Sequence, residues 1–322
     1  MSVTAALGFV ASGCHAGVKR RRYDMAMIAT DDGKPVTAAA VFTQNKFRAP
    51  PVEASLERLN VSGGMASGVI VNSGNANAGT GAKGRADAEA MCAAAAKAIG
   101  SDPRDMLVCS TGLIGFRLPM RKILNAAPKL GEALSRDGHR DAAKGILTTD
   151  HVPKQAVVRG STFTIGGIAK GCGMIAPNMA TMLAFLTTDA DVSRDELQAI
   201  LRDAANRTFN TLNVDGATST NDTVILLANG RTGKPDLAEF ADAVHKVCED
   251  LTWQMARDAE GMTKMVTLRV IGAASDEEAR IAAKILSIGN SVPMMPVEQT
   301  STSSRAQPIA SAVAAHIASA SA

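Results

Sequence analysis

The feature that most limits the folds open to this chain is the irregular order of its predicted strands and helices. Short runs of alternating or continuous apolar residues predict the strands. These are Met25–Thr30, Val36–Thr43, Gly68–Asn72, Met106–Ser110, Thr162–Ala169, Met182–Thr187, Thr223–Ala228 and Met265–Gly272. Because a doubly wound parallel sheet needs strands and helices in alternation, this order favours an α+β fold, with helices stacked on mixed or antiparallel sheets.

Two helices are predicted from composition and apolar spacing. Gly84–Ile99 is rich in alanine, the strongest helix former, and Gly100 supplies a stop. A longer helix begins near Asp236, and its apolar residues recur on one face. That face consists of Leu237, Phe240, Ala241, Val244, Cys248, Leu251 and Met255.

Two further helices are predicted from capping boxes, in which a Ser side chain and a Glu three residues later satisfy the first free backbone N–H groups. Ser193 with Glu196 begins one of them. Ser275 with Glu278 begins the other, which extends to about Leu286.

The composition indicates a globular chain with an aliphatic core. A length of 322 residues leaves room for one large α/β domain or two smaller ones. Hydrophobic residues make up 46% of the chain, but aromatic residues only 3%. The core must therefore be built mainly from Ala, Val, Leu, Ile and Met.

The charge pattern argues against nucleic acid and membrane partners. The formal net charge is +3, and the one short basic run, Lys19–Arg22, lacks the interleaved aromatics and fold signature of nucleic-acid binders. No apolar run reaches ~18 residues, and no charged N-terminal segment precedes an apolar stretch. We therefore expect a cytoplasmic protein.

Cysteine and histidine spacing predicts neither disulfides nor a metal site. The five cysteines are widely spaced and form no CxxC pair, which speaks against a disulfide framework and a zinc site. The five histidines likewise show no metal-ligand spacing.

Two glycine patterns resemble dinucleotide-binding fingerprints without meeting their requirements. Such a fingerprint lies directly between a strand and a helix, so that the helix N-terminus faces the pyrophosphate. Gly79–Gly84 follows its predicted strand only after a polar loop, and Gly171–Ala176 leads into Pro177 and an apolar run. A nicotinamide enzyme is therefore disfavoured.

The densest cluster of unusual residues runs from Lys170 to Leu183, with the sequence KGCGMIAPNMATML. Two glycines near its start permit close backbone approach or positive φ, and a Pro-Asn pair then indicates a turn. By periodicity alone, Thr181 is an ordinary first residue of a strand.

This cluster resembles the self-cleavage site of the ornithine acetyltransferase family, which has glutamate N-acetyltransferase activity in arginine biosynthesis. Further segments resemble motifs of that family and occur in the same order along the chain. They are Val71–Ala78, Cys109–Gly115, Leu118–Met120, Leu147–Asp150, Asn213–Gly216, Ser219–Thr223 and Asp258–Lys264. The similarity extends from about Gly8 to Leu286.

The resemblance implies a self-cleaving enzyme of the N-terminal-nucleophile type, with stacked mixed β-sheets and flanking helices. Cleavage between Ala180 and Thr181 would give an α chain of residues 1–180 and a β chain beginning at 181, family-like to residue 286. Thr181 would then be the nucleophile. Its freed α-amine, with a reference pKa near ~8, would serve as its base.

The resemblance also implies the remaining site residues. The side-chain hydroxyl of Thr111 and the N–H of Gly112 would stabilise the tetrahedral oxyanion. Thr148, Lys170 and Glu260, together with the nucleophile, would contact N-acetylornithine and glutamate, with Lys170 on the carboxylate and Glu260 on the ornithine cation. The acetyl group would be transferred by a ping-pong reaction.

The family resemblance implies no cofactor and no metal. The sequence does not decide whether acetyl-CoA also serves as an acetyl donor. The cleaved chains are expected to form a heterotetramer of two α and two β chains.

The last segment, residues 287–322, departs from the family pattern. It is rich in Ser and Ala, and the family's Asp-Pro-Asn-Trp-Gly-Arg motif and later substrate-binding residues are not found in it. We therefore expect an altered ending with low-complexity sequence. Two alternatives stay open, a catalytically impaired family member and a related amidase or aminopeptidase in which water accepts the acyl group.

Overall fold

The computed structural model describes residues 1–175, 182–288, 294–295 and 318–319. The strands are β1 (Phe9–Cys14), β2 (Met25–Thr30), β3 (Val36–Phe42), β4 (Met65–Ala66), β5 (Gly68–Asn75), β6 (Met106–Leu113), β7 (Lys154–Arg159), β8 (Thr164–Lys170), β9 (Leu183–Thr188), β10 (Thr223–Ala228), β11 (Val266–Thr267), β12 (Met294–Met295) and β13 (Ala318–Ser319). The helices are α1 (Pro50–Val61), α2 (Gly81–Ile99), α3 (Met120–Glu132), α4 (His139–Gly145), α5 (Arg194–Arg207), α6 (Leu237–Arg257) and α7 (Asp276–Ile288).

Two mixed sheets form the centre of the molecule. One has four strands in the order β1-β2-β5-β6, of which only the β5–β6 pair is parallel. The other has six strands in the order β4-β3-β10-β9-β8-β7, of which only β9 and β10 are parallel. The short strands β11, β12 and β13 form a separate three-stranded sheet.

The two large sheets pack face to face and are covered by helices on their outer sides. Along β9, Leu183 and Phe185 point into the core between the sheets, whereas Ala184 and Leu186 point towards α5 and α6. Because the side-chain direction in a strand repeats every two residues, alternate side chains lie on opposite faces of the sheet. Since both faces are buried, the strand is apolar throughout.

The four-stranded sheet repeats this arrangement. Ala26 and Ile28 of β2 face the core between the sheets, and Met25 and Met27 face the opposite side. There they pack with buried residues of α1, α2 and α3. The order of layers is therefore helix, sheet, sheet, helix, which confirms the predicted α+β fold of stacked mixed sheets with flanking helices.

The local predictions are confirmed for most elements. Met25–Thr30 and Thr223–Ala228 are strands with the predicted bounds, and the other predicted strands before residue 230 differ by a few residues at their ends. The capping box of Ser193 and Glu196 is present, and Asp236 caps α6 by accepting from the Glu239 N–H at 2.8 Å.

Other elements differ from prediction. The prediction of a strand over Met265–Gly272 is wrong, because only Val266–Thr267 of this segment pairs with other strands. Leu237 was placed on the apolar face of α6 but is 42% exposed, since it lies in the first turn of the helix. Strands β1, β4 and β7 and helices α1, α3 and α4 were not predicted.

Two predicted boundaries concern residues that the structure covers in part or not at all. The chain division between Ala180 and Thr181 falls outside the described residues. Of the predicted tail from Ser287 onwards, only residues 287–288, 294–295 and 318–319 are described. No helix in the described part of the chain has both the length and the apolar character needed to cross a membrane.

The contact between α6 and the six-stranded sheet gives a test of the packing. Phe240 is fully buried and meets Phe163 edge to face, with ring centroids 5.3 Å apart. We expect Phe240→Ala to lower the free energy of unfolding by about 3–5 kcal/mol, because it leaves a cavity under the helix. Leu237→Ala, on the exposed first turn, should change it by less than about 0.5 kcal/mol. Urea denaturation measures both, and equal unfolding midpoints would contradict this packing.

Candidate functional site

The candidate site lies where the two large sheets come together at the ends of β6 and β8. Lys170 is the last residue of β8 and is buried. Its Nζ donates to Oγ1 of Thr111, which is buried in β6, across 3.4 Å. This contact joins the six-stranded sheet to the four-stranded sheet. It brings together two residues that the sequence assigned to one site.

Asp150 is the centre of a buried group of charges beside this contact. Its Oδ1 accepts from Lys154 Nζ at 2.6 Å and from the Gly171 N–H at 2.7 Å. Its Oδ2 accepts from the Thr148 N–H at 3.0 Å and lies 3.9 Å from Lys170 Nζ. One carboxylate thus fixes the loop before β7 and the end of β8.

The same charges determine the ionisation of Asp150. Burial by itself would raise its pKa, but the positive charges of Lys170 and Lys154, and hydrogen bonds from Lys154 and the Thr148 N–H, lower the pKa to about 2. Asp150 is therefore charged at neutral pH. Lys154 also forms a buried ion pair with Asp258, just beyond α6.

Gly112 occupies a position that a larger residue could not take. Its φ is +134°, and a Cβ would lie 2.3 Å from the carbonyl carbon of Gly74 on the neighbouring strand. The β5–β6 register shifts at this point, between Gly74 and Asn75. The predicted oxyanion pair, Thr111 and Gly112, therefore lies at an irregular strand end where only glycine fits the backbone.

Glu260 packs against the glycine-rich loop that follows Lys170. Its N–H donates to the carbonyl of Cys172 at 2.6 Å, and a Cβ on Gly173 would lie 2.8 Å from its carboxylate. The hydroxyl of Thr149, next to Thr148, contacts Cys172 Sγ at 3.0 Å. Glu260 and the turn after α4 therefore both contact this loop at Cys172.

The loop contains one backbone conformation that is uncommon for a residue with a side chain. Met174 has a φ of +54°, in the left-handed region. Asp215 holds the loop there, because its Oδ1 accepts from the Ile175 N–H at 2.9 Å. Conformations of this kind cost about 1–3 kcal/mol and are kept only where surrounding contacts impose them.

The predicted cleavage residues, Ala180 and Thr181, lie outside the described residues. The chain is described again from Met182, whose N–H donates to Asp222 Oδ1 at 2.9 Å. Leu183 then pairs with Lys170 in the antiparallel β8–β9 ladder. The described chain therefore resumes at the sheet end that carries Lys170.

Sequence reasoning missed four buried charged residues around this site, namely Asp150, Lys154, Asp222 and Asp258. Three of them lie inside motifs that had been noted: Asp150 ends Leu147–Asp150, Asp222 lies in Ser219–Thr223, and Asp258 begins Asp258–Lys264. Their position next to the end of a strand or helix was the sequence feature from which they could have been identified. Among the described residues, no group of three or more His, Cys, Asp or Glu side chains is arranged to hold a metal ion.

Comparison with known proteins gives consistent relatives. The model of the ArgJ family matches residues 10–294. The "arginine biosynthesis bifunctional protein ArgJ" of Thermobifida fusca is 48% identical over 280 residues, covering 87% of this chain and 73% of that protein. A mitochondrial protein of that name from Clavispora lusitaniae is 46% identical over 291 residues, covering 86% and 70%.

Solved structures show the same relationship. A crystal structure of the bifunctional protein ArgJ from Bacillus halodurans has a TM-score of 0.50 and 43% identity, covering 56% of this chain and 95% of the solved chain. Ornithine acetyltransferase of Mycobacterium tuberculosis, complexed with ornithine, has a TM-score of 0.52 and 39% identity, covering 55% and 94%. A Burkholderia β-aminopeptidase, at 10% identity and a TM-score of 0.50, shares the fold alone.

The buried charges give a prediction for stability. Asp150→Asn removes the anion between Lys154 and Lys170, and should lower the free energy of unfolding by about 3–5 kcal/mol at pH 7. The pKa of Asp150 is lower in the folded protein than in the unfolded chain. The stabilisation by its negative charge is therefore fully present above the unfolded pKa. It is lost as pH falls through the folded pKa of about 2.

Urea denaturation between pH 7 and pH 2.5 measures this difference. Asp141→Asn is the matched control, since Asp141 forms an exposed pair with Lys144 and should change stability by less than about 1 kcal/mol. A difference between Asp150→Asn and wild type that stayed constant over this pH range would refute the assignment.

Proposed function

The chain belongs to the ArgJ family, and we propose that it is an acyltransferase of arginine biosynthesis that transfers an acetyl group from N2-acetylornithine to glutamate. The observation that carries the proposal is the contact of Lys170 with Thr111, at the sheet end where Leu183 pairs with Lys170. A carboxylate-binding cation, an oxyanion-stabilising hydroxyl and the start of β9 meet there. The names of the relatives supply the pathway and the chemical class.

We propose that the chain first cleaves itself between Ala180 and Thr181. The Thr181 hydroxyl attacks the Ala180 carbonyl to give an ester, which water hydrolyses. Two observations support the cut. A segment of 56% of this chain covers 95% of the solved Bacillus halodurans chain, so that polypeptide is little more than half as long. The left-handed Met174 is a source of strain in the preceding loop.

The cut would not separate the two fragments. Strand β8 lies before residue 180 and β9 after it, and Ile165–Lys170 pairs with Leu183–Thr188. Strand β10 also pairs with β3 of the N-terminal fragment. The fragments would therefore remain one folded unit, from which assembly into a heterotetramer of two α and two β chains could proceed.

After cleavage, the free α-amine of Thr181 would take the proton of its own hydroxyl, since an unassisted threonine is a poor nucleophile at neutral pH. Thr111 and the Gly112 N–H would stabilise the oxyanion of each tetrahedral intermediate. Loss of one such donor typically slows a reaction about 100–1,000-fold. Ornithine would leave, and glutamate would accept the acetyl group from Thr181.

The charges around the site suit these substrates. Lys170 would bind the α-carboxylate, which is present in both N2-acetylornithine and glutamate. Thr148 would contact the substrate next to Lys170, because both residues lie against Oδ2 of Asp150. Glu260, against the loop after Lys170, would bind the side-chain ammonium of ornithine. None of these steps requires a metal or a cofactor. The word "bifunctional" in the names of relatives supports a second activity, for which we propose acetyl-CoA as donor.

Mass spectrometry of the purified protein tests the cleavage. We expect fragments of residues 1–180 and 181–322, and an intact chain for Thr181→Val, which removes the attacking hydroxyl. Thr187→Val is the matched control on the same strand, because the Thr187 hydroxyl donates to the Val3 carbonyl away from the site. Intact wild-type chain, or cleavage of Thr181→Val, would overturn the proposal.

Steady-state assays test the substrate assignment. Glu260→Gln should raise the KM for N2-acetylornithine about 10- to 100-fold, because a hydrogen bond to a charged group is lost, and should leave the KM for glutamate nearly unchanged. Glu249→Gln is the control, because Glu249 lies on α6 and forms an exposed ion pair with Lys246. Assays with and without glutamate distinguish transfer from hydrolysis. Acetate release that needs no glutamate would indicate an amidase instead.

A further inference from the structure

Lys19, in the loop between β1 and β2, is a half-buried cation without a carboxylate partner. Its Nζ donates to the carbonyl of Leu147 across 2.9 Å, and no carboxylate among the described residues forms an ion pair with it. By contrast, Lys154 pairs with both Asp150 and Asp258. A cation that is partly removed from water without a counter-ion is costly, so this position favours an anionic ligand.

A buried carboxylate holds the backbone of this loop without neutralising the lysine. Asp24 is buried, and its Oδ1 accepts from the Ala16 N–H at 2.6 Å. Its Oδ2 accepts from the N–H groups of Gly17 at 3.0 Å and of Lys19 at 2.8 Å. The loop is therefore fixed by its backbone donors, and the ammonium group of Lys19 stays available for another anion.

The side chain of Lys19 lies between residues that were assigned to the site. A Cβ on Gly74 would lie 2.6 Å from its Cγ, and Gly74 is paired with Gly112 in the β5–β6 ladder. Its Nζ contacts the carbonyl of the residue before Thr148. The charge of Lys170 also acts on it. Lys19 therefore belongs to the same end of the two sheets as the predicted oxyanion and substrate residues.

The proposed reaction needs a site that accepts two side chains of opposite charge. N2-acetylornithine and glutamate share the α-carboxylate, which Lys170 is proposed to bind. The ornithine side chain ends in an ammonium group, whereas that of glutamate ends in a γ-carboxylate. Glu260 suits the ammonium group and repels the γ-carboxylate, because like charges brought together are unfavourable. Binding of glutamate therefore calls for a second cation.

We propose that Lys19 binds the γ-carboxylate of glutamate and so selects the acetyl acceptor. The inference rests on the reaction set out under Proposed function. An ammonium group has three donor hydrogens, so that Lys19 can bind this carboxylate and keep its hydrogen bond to Leu147. Glu260 then serves the donor substrate and Lys19 the acceptor.

Lys19→Met tests this role, because it keeps most of the aliphatic chain and removes the charge. We expect kcat/KM for glutamate to fall about 10- to 100-fold, since a hydrogen bond to a charged group is lost. Glutamine, a neutral acceptor of nearly the same shape, should be used as well as by wild type, and the KM for N2-acetylornithine should not rise. Lys19→Arg, which keeps the charge, should retain the preference for glutamate over glutamine.

Lys122→Met is the matched control. Lys122 lies on α3 and donates its Nζ to the Gly17 carbonyl of the same loop at 3.0 Å, but this contact is exposed. The variant should behave like wild type. If Lys19→Met lowered kcat/KM equally for glutamate, glutamine and N2-acetylornithine, its role would be structural and the proposal would be overturned. The same holds if it changed none of them.

Calorimetric titration separates this inference from the proposed function. Wild type should bind glutamate more tightly than glutamine, and Lys19→Met should bind the two equally. This comparison needs no turnover. A wild-type chain that transferred no acetyl group to glutamate would overturn the proposed function, whereas equal binding of glutamate and glutamine by wild type would overturn the role of Lys19.

The pH dependence of the wild-type enzyme guards against misfolding of the variant. Burial lowers the pKa of Lys19 to about 8, with further lowering by Arg22 and Lys170 and opposite effects of Asp24 and Asp150. Lys19 is therefore charged at pH 7 and loses its charge as pH rises through about 8.

We expect the ratio of kcat/KM for glutamate to kcat/KM for glutamine to fall about 10- to 100-fold between pH 7 and pH 10. The ratio is informative because the α-amines of both acceptors titrate alike. Lys19→Arg should keep its ratio over this range, since a guanidinium group stays charged. A wild-type ratio that stayed constant would overturn the proposal.

Discussion

The buried ion pairs of Asp150 are the interaction on which the rest of the site depends. This carboxylate holds Lys154, the Gly171 N–H and the Thr148 N–H, and it lies beside Lys170. Lys154 extends the network to Asp258 at the end of α6. Charges removed from water are tolerated only with such complete partners. The network therefore orients the loop before β7, the end of β8 and the segment that carries Glu260.

Four packed layers join the parts of the chain that lie on either side of the proposed cut. Each large sheet buries one face against the other sheet and one against helices. The proposed cut falls between β8 and β9, which are neighbours in the six-stranded sheet. If the cut occurs as proposed, backbone pairing and the shared core would connect the two fragments.

Two buried carboxyl groups near this sheet end have opposite ionisation for a simple reason. Asp150 lies against Lys154 and Lys170, and these cations lower its pKa to about 2 despite burial. Asp222 has backbone and hydroxyl neighbours, and burial raises its pKa to about 8. The first is a permanent anion that organises cations, and the second can exchange a proton near neutral pH. Pairs of acids separated in this way commonly divide structural and proton-transfer roles.

The sequence by itself determined the layer class, most strands and helices, and the motifs that gather at the site. Period-two and helical patterns are local, so Met25–Thr30 and Thr223–Ala228 could be predicted to the residue. Only the tertiary structure decided that Lys170 reaches Thr111 across two sheets, and which carboxyl groups are charged. Those properties depend on burial and on partners up to about a hundred residues away, such as Asp258 for Lys154, which no local pattern encodes.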